Sequence, residues 1–325
     1  MILVIEGKGT KLFRSGECFR AKGGDGIKEI AAAAVSKILV TSAVSITTDA
    51  LLLAASEGIP VFFLDGHGHP YGIFDAFEKA GQAYVRRKQT TLAHTPDGVA
   101  ICRHFLCGKL EGRIRLLKKL KAKRSGDKAA EIVRVIESIR VFAESIKSVE
   151  GDSVAMVRNT LQGLEGSAGR EYFSLLSALL PKSEAFDGRS FRPAKDRFNA
   201  MLNYAYGILY SQVERAARLA GVDPYIGIMH ADAYNKPTFV FDAVELFRHY
   251  AEETAFKLFT ARKVSASMFD TRDGGVFLNG EGRKLLIAAY FRKMSEMTCY
   301  KRRRVRIETE IGLRLAEIAG TIAES

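Results

Sequence analysis

The sequence predicts an α+β fold, an N-terminal β-rich domain of residues 1–83 joined to a larger all-α C-terminal domain of residues 84–325. Three observations predict it. Short β-prone runs punctuated by glycine fill the first segment, and long amphipathic helical patterns take over from Tyr84. The charge changes at the same place: residues 1–83 carry 8 Lys/Arg against 9 Asp/Glu, whereas the remaining 41 and 28 leave +13. The chain's net charge of +12 therefore resides in the helical segment. At 325 residues and 47% hydrophobic, the chain is large enough to bury a substantial core.

The β-prone runs are residues 2–5, 11–14, 37–41, 61–64 and 71–74. Gly23, Gly24 and Gly26 around Asp25, and Gly66 and Gly68 between Asp65 and His69, supply the positive-φ positions of tight turns. One helix interrupts the strands. Thr48 or Asp49 caps it, Leu51, Leu52 and Ala55 ride on it, and Gly58 with Pro60 ends it.

In the second segment, Val157, Leu161, Leu164, Ala168, Tyr172, Leu175 and Leu179 recur at helical spacing and define one face of a helix that carries Glu165. Gly163, Gly166 and Gly169 lie on the same stretch, each costing about 1 kcal/mol relative to alanine inside a helix. Close approach of another helix or of a ligand beside Glu165 would offset that cost; a helix break there is the alternative. Residues 184–197, with Pro193 and mixed charge, read as a long loop.

A basic chain seeks a polyanion, because its cations displace counterions condensed on phosphates. Membrane lipid is the competing polyanion. No run approaches 18 apolar residues, and residues 1–5 are stopped by Glu6 and Lys8, so the expectation is a soluble, cytoplasmic protein with no membrane partner. Cys18, Cys102, Cys107 and Cys299 form no CxxC pair and read as reduced, mostly buried thiols.

Gly221-Val222-Asp223-Pro224 ends one helix, and His230 emerges just beyond the turn. The next helix starts near Pro237, capped by Thr238 or Asn235, and runs through Asp242, Glu245 and Arg248. Asp242 and Glu245 are three residues apart and share a face. One reading makes that face a solvated stripe, since 242, 245, 249 and 252 lie opposite the apolar 240, 244, 247 and 251. The other buries it, because Phe239, Val240 and Phe241 surround the first turn with apolar groups; a carboxylate buried there needs a partner, and a divalent cation is a strong one. Carboxylates from Glu165, Asp242 or Glu245 with the His230 imidazole would suit Mg2+ or Mn2+, the nitrogen favouring Mn2+. Such an ion can polarise a phosphoryl oxygen and activate a hydroxyl for in-line displacement.

Residues 109–128 carry nine Lys/Arg, beginning with Lys109, and Lys301, Arg302, Arg303, Arg304 and Arg306 form a second dense patch. Both suit phosphate contacts without sequence readout. Tyr204 is a candidate to stack on unpaired bases, and so is Tyr206, with core packing expected for at least one of them. Asp65, His67 and His69 imitate a metal site but read as a glycine-rich loop tip.

Several separated segments together resemble the CRISPR-associated protein one family, the integrase and endonuclease of CRISPR spacer acquisition. Residues 164–173, with Glu165, Gly166, Ala168, Arg170, Tyr172 and Phe173, resemble the stretch around its first metal ligand, with Gly169 where alanine is common. Residues 198–206 resemble its F-N-x-x-L-N-Y-x-Y helix, and 220–230 its A-G-L-D-P-x-x-G-x-x-H element. Residues 240–248 resemble its L-x-D-x-x-E-x-F-R helix. Residues 44–48, 58–61, 86–89 and 108–110 agree as well.

The resemblance implies a β-rich dimerisation domain and a helical catalytic and DNA-binding domain. It implies a homodimer that binds a small ferredoxin-like second protein of the adaptation complex. The implied reaction is insertion of prespacer DNA, a duplex with 3′ ends, into CRISPR repeat DNA by 3′-hydroxyl transesterification. Carried over by position, Glu165, His230 and Glu245 match the three metal ligands, with Asp242 an acidic neighbour and the inner ligand open between the two. Some members have Asp where this chain has Glu245. The alternatives are a noncatalytic nucleic-acid-binding scaffold, or a junction- or RNA-cleaving nuclease, since phosphate contacts are blind to base sequence.

Overall fold

Short β-prone runs build the strands of the N-terminal segment. Its elements are β1 (Ile2–Ile5), β2 (Lys11–Ser15), β3 (Cys18–Gly23), β4 (Gly26–Ala31), β5 (Lys37–Val40), β6 (Ser45–Ile46), α1 (Thr48–Ser56), β7 (Val61–Leu64) and β8 (Pro70–Phe74). The computed structural model describes residues 1–24, 26–64, 70–75 and 83–325, so Asp25, Asp65, His67 and His69 lie outside the described residues. The chain divides into two units, Met1–Ala80 and Gly81–Ser325.

The first unit holds two four-stranded sheets, ordered β1-β5-β7-β8 and β4-β3-β2-β6. In the first, β1, β5 and β7 run parallel, and β8 is antiparallel to β7. All four residues of β5 are buried, as expected of a central parallel strand covered on both faces. Leu3, Ile5, Leu12, Phe19, Ile38, Val40 and Val61 meet α1 in one core. The phase of α1 differs from the sequence expectation. Ala50, Leu53 and Ala54 face inward, Leu52 is exposed, and Thr47 is the cap, its hydroxyl accepting from the Ala50 N–H at 3.3 Å. Leucines at 51, 52 and 53 give no periodicity by which to choose the inward face, so packing on the sheet chooses it.

The second unit is built on α2 (Ala83–Leu92), α3 (Pro96–Lys121), α4 (Gly126–Lys147), α5 (Val154–Leu179), α6 (Arg197–Ala220), α7 (Thr238–Ala243) and α8 (Arg248–Thr260). It continues with β9 (Phe269–Arg272), β10 (Gly275–Leu278), α9 (Gly280–Met294), β11 (Met297–Tyr300), β12 (Arg303–Arg306) and α10 (Ile307–Glu324). β9–β10 and β11–β12 are antiparallel hairpins, so a helical unit expected to be all-α also carries two small ribbons. No helix among the described residues is long and apolar enough to cross a membrane. Among the thiols, Cys102 and Cys107 are buried, Cys18 is half-buried and Cys299 is exposed.

α5 runs unbroken through Gly163, Gly166 and Gly169, with the expected apolar face buried except for a half-buried Leu164. Among the described residues, no neighbouring helix crowds these glycines. A Cβ at Gly163 would meet open space, and one at Gly169 would make ordinary contact with Glu165 and Arg113. Close helix approach occurs instead on α3, where a Cβ at Gly108 would overlap Leu246 and one at Gly112 would overlap the His249 ring. Those two glycines let α3 press against the segment that carries Glu245.

That segment is not one continuous helix. α7 gives way to a 3-10 turn, Val244–Phe247, before α8 begins at Arg248. Neither Thr238 nor Asn235 caps α7: the Thr238 hydroxyl donates to the Tyr225 carbonyl at 2.7 Å. The supposed solvated stripe is interior, since Asp242, Glu245, His249 and Glu252 are all buried.

Candidate active site

The loop between α6 and α7 brings in His230. Gly221 ends α6 in the left-handed conformation, at φ 86°. Irregular backbone beyond it has no ladder partners, so side chains satisfy it. The buried Gln89 amide on α2 donates to the carbonyls of Asp223 and Ile226 at 2.8 and 2.7 Å and accepts from the Asp223 N–H at 2.9 Å. Asp232 accepts from the Gly227 N–H at 2.8 Å. Nothing in the pattern around Gln89 or Asp232 marks these roles, which depend on contacts distant along the chain.

Asp242 completes the bracing. It is fully buried, and its Oδ2 accepts from the N–H groups of Ile228 and Met229 at 2.7 and 2.9 Å. Its Oδ1 accepts from the His230 N–H at 3.1 Å and pairs with His230 Nδ1 at 2.5 Å. A carboxylate has about four lone-pair directions, and these four contacts fill them. Asp242 raises the His230 pKa through that hydrogen bond, against the lowering effect of burial. The imidazole packs edge-on to Phe241, and among the described residues no hydrogen bond engages its Nε2.

Glu165 and Glu245 meet at another point. Lys109 Nζ, from α3, lies 2.5 Å from Glu165 Oε1 and 2.6 Å from Glu245 Oε2. The directed hydrogen bond goes to Glu165; the contact with Glu245 Oε2 is a close ion pair without hydrogen-bond alignment. Glu245 Oε1 accepts from Arg248 Nε at 2.8 Å, and Arg248 also reaches the Tyr210 hydroxyl at 3.1 Å. Burial would push the Glu245 carboxyl up, but Arg248 and Lys109 outweigh it and hold its pKa at about 2.

Behind this pair, Arg113 places Nε and Nη2 on Glu252 Oε1 at 3.3 and 3.0 Å, with Nη1 lying 3.9 Å from Glu165 Oε1. The hydroxyls of Tyr172 and Tyr206 donate to Glu252 at 2.8 Å each. Lys109, Arg113 and Arg248 thus balance Glu165, Glu245 and Glu252. Arg248, three residues beyond Glu245, had a sequence signal in that spacing. Arg113 and Glu252 had none, because their pairing joins α3 to α8.

Two sequence expectations are corrected. Lys109 is buried in the acidic centre and is not part of an exposed phosphate-binding stripe. Tyr204 is 2% exposed and presents no ring to a base, because α6 is enclosed around most of its circumference; Tyr206 is likewise interior. Arg302, Arg303 and Arg304 are exposed on the β11–β12 hairpin, with Arg302 at its tip at φ 65°.

The residues are suited to a divalent metal in donor chemistry. Two carboxylates converge on one cationic atom, and the Nδ1 of His230 is committed to Asp242, the usual outer-shell arrangement of a histidine ligand. Among the described residues no three His, Cys, Asp or Glu side chains already gather as a metal-holding group. The ammonium of Lys109 is what the two carboxylates close upon.

The model of the family described as CRISPR associated protein Cas1 matches residues 3–292. The chain is 27% identical over 329 residues to a protein named CRISPR-associated endonuclease Cas1 1 from Archaeoglobus fulgidus, covering 98% of this chain and 95% of that one. It is 30% identical over 261 residues to a protein of the same name from Methanospirillum hungatei, covering 79% and 75%. In fold it is similar to a casposase solved bound to integration product, with a TM-score of 0.83 at 17% identity over 99% of this chain and 90% of that one. A CAS1 protein from Thermotoga maritima superposes with a TM-score of 0.78 at 21% identity, covering 99% and 96%.

Proposed function

The chain belongs to the CRISPR associated protein Cas1 family, and from that premise we propose that it is a metal-dependent DNA integrase and endonuclease that inserts prespacer DNA into a CRISPR array. The observation that carries the proposal is the convergence of Glu165 and Glu245 on one cation position, together with a His230 imidazole locked by Asp242. In this reading Glu165, His230 and Glu245 hold Mg2+ or Mn2+. Asp242 is the positioning residue, since its four acceptor directions are already taken. When bound, the ion would polarise the phosphoryl oxygen and activate the attacking hydroxyl.

The chain's own groups do the rest. Asp242 holds His230 in one tautomer with Nε2 outward, and Arg248 fixes the Glu245 carboxylate. Arg113 backs Glu165 while Glu252 absorbs its charge. In the transfer, a prespacer 3′-oxygen bonds to a repeat phosphorus, the repeat's own 3′-oxygen leaves, and the attacking hydroxyl's proton passes to the leaving side or to solvent. One phosphodiester replaces another, so no high-energy cofactor is consumed.

The basic hairpin with Arg302, Arg303 and Arg304 would bind phosphates without reading sequence. In the same reading, residues 1–83 serve dimerisation, residues 84–325 carry catalysis and DNA binding, and a small ferredoxin-like second protein completes the assembly. A solved Cas6-RT-Cas1–Cas2 complex similar in fold supports such a partnership, although this chain covers only 35% of that one.

Strand-transfer assays in Mn2+ test the site. Glu165→Ala and His230→Ala should each abolish integration while DNA affinity stays within a few-fold, because phosphate contacts and the metal site are separate terms. Integration at the wild-type rate by either variant would sink the proposal.

A further inference from the structure

Lys109 is an anomaly for an integrase with a basic surface. It belongs to a cation-rich stretch of the chain, yet its side chain is 7% exposed and its ammonium is committed to two carboxylates. Those are the same two carboxylates that the proposed function assigns to the metal. We propose that Lys109 is the resident counter-cation of the metal site: its ammonium holds Glu165 and Glu245 together when no divalent ion is present and must leave them when one binds.

The inference rests on the metal-site reading and on three local observations. The first is convergence, since Nζ lies within 2.6 Å of both Glu165 Oε1 and Glu245 Oε2. The second is charge. Lys109, Arg113 and Arg248 already neutralise Glu165, Glu245 and Glu252, so a divalent ion entering without displacing a cation would leave these six groups with an excess of two positive charges. The third is mobility. Arg113 is clamped by Glu252 and stacked on Tyr172, and Arg248 is pinned by Glu245 and Tyr210, whereas the Lys109 ammonium is held, among the described residues, by the two carboxylates alone. Its flexible four-carbon stem lets the ammonium swing out while α3 stays in place.

Of the three cations, Lys109 is therefore the one that can leave. Two carboxylates held together without a cation between them would repel each other, and the buried Glu245 Oε2 would also lack a partner for its charge, so the ammonium keeps the site assembled before loading. The same contact makes Lys109 a competitor of the metal, and it sets affinity as well as order.

Mn2+ titrations of the full chain by calorimetry, with wild type, Lys109→Met, Lys109→Gln and Glu165→Ala, test this. Both Lys109 variants should bind Mn2+ about tenfold more tightly than wild type, the scale of removing one competing ion pair. They should melt lower than wild type in EDTA, with the deficit closing in saturating Mn2+. Lysine acylation read by mass spectrometry on wild type needs no variant: labelling of Lys109 should rise several-fold when Mn2+ saturates.

If Mn2+ binding needs Glu165 but neither Lys109 variant binds more tightly, the role of Lys109 is overturned and the metal site stands. Unchanged Lys109 labelling under saturating Mn2+ overturns it equally, even where the variants do not fold. If wild type takes up no Mn2+, or Glu165→Ala takes it up equally well, the metal-site reading falls and this inference falls with it.

Discussion

Replacing Asp242 by asparagine changes one oxygen to an amide and almost nothing else in shape, so its consequence follows from hydrogen bonding alone. If the amide takes the place of Oδ2, the buried N–H groups of Ile228 and Met229 lose their acceptor. If it takes the place of Oδ1, the His230 N–H loses its acceptor and the amide donates to Nδ1, which forces the ring into its other tautomer. One or two backbone donors are thus orphaned, at about 1–3 kcal/mol each, and the remaining bonds lose their charge assistance. The sum is about 2–6 kcal/mol, against a total stability of about 5–15 kcal/mol for a typical domain. The chain has no tryptophan, so urea unfolding is best followed by circular dichroism, which reports the helical unit. A loss below about 1 kcal/mol would refute the bracing role. The same experiment separates the two acids of this segment. If Asp242 is an inner metal ligand and not a brace, Asp242→Asn abolishes Mn2+ binding while stability in EDTA stays near wild type.

Three further outcomes are expected. Gly112→Ala should destabilise by about 1–3 kcal/mol, because its methyl group would overlap the buried His249 ring, whereas Gly320→Ala on open helix surface should gain up to about 1 kcal/mol; thermal melts compare the two. Burial, reinforced by Arg115, pushes the His249 pKa down to about 3 from 6.5, despite opposing effects of Glu252 and Glu253. A folded pKa below the unfolded one makes its stabilising contribution full above pH 6.5 and lost as pH falls toward 3. Unfolding free energies from urea titrations should therefore decline across that window by up to about 5 kcal/mol, and His249→Phe should flatten the decline. Neutralising Arg302, Arg303 and Arg304 with glutamine should weaken DNA binding and lower the salt slope by about 0.9 for each phosphate no longer neutralised; an unmoved slope would take the hairpin off the DNA path.

Much of the architecture was legible because it depends on local pattern. Short β-prone runs located the strands of the first sheet, and period-3.6 apolar positions from Val157 to Leu179 located α5. The pattern stopped short where competing choices were nearly equal, as in α1, where consecutive leucines left the inward face undecided. The ribbons β9–β10 and β11–β12 escaped notice because four-residue strands rich in charge carry little periodicity.

What the sequence by itself determined was the division into a β-rich and a helical segment, the place of the positive charge, and the candidates Glu165, His230, Asp242 and Glu245. It could not separate the two acids, because spacing by three along a presumed helix treats them alike. Tertiary structure separates them: a switch from α to 3-10 geometry and the close approach of α3 at Gly108 and Gly112 give Asp242 to the His230 loop and Glu245 to Lys109 and Arg248. Lys109 itself changes from surface cation to buried partner for the same reason. Partners drawn from α3, α5 and α8 are far apart along the chain, and only packing decides which charges meet.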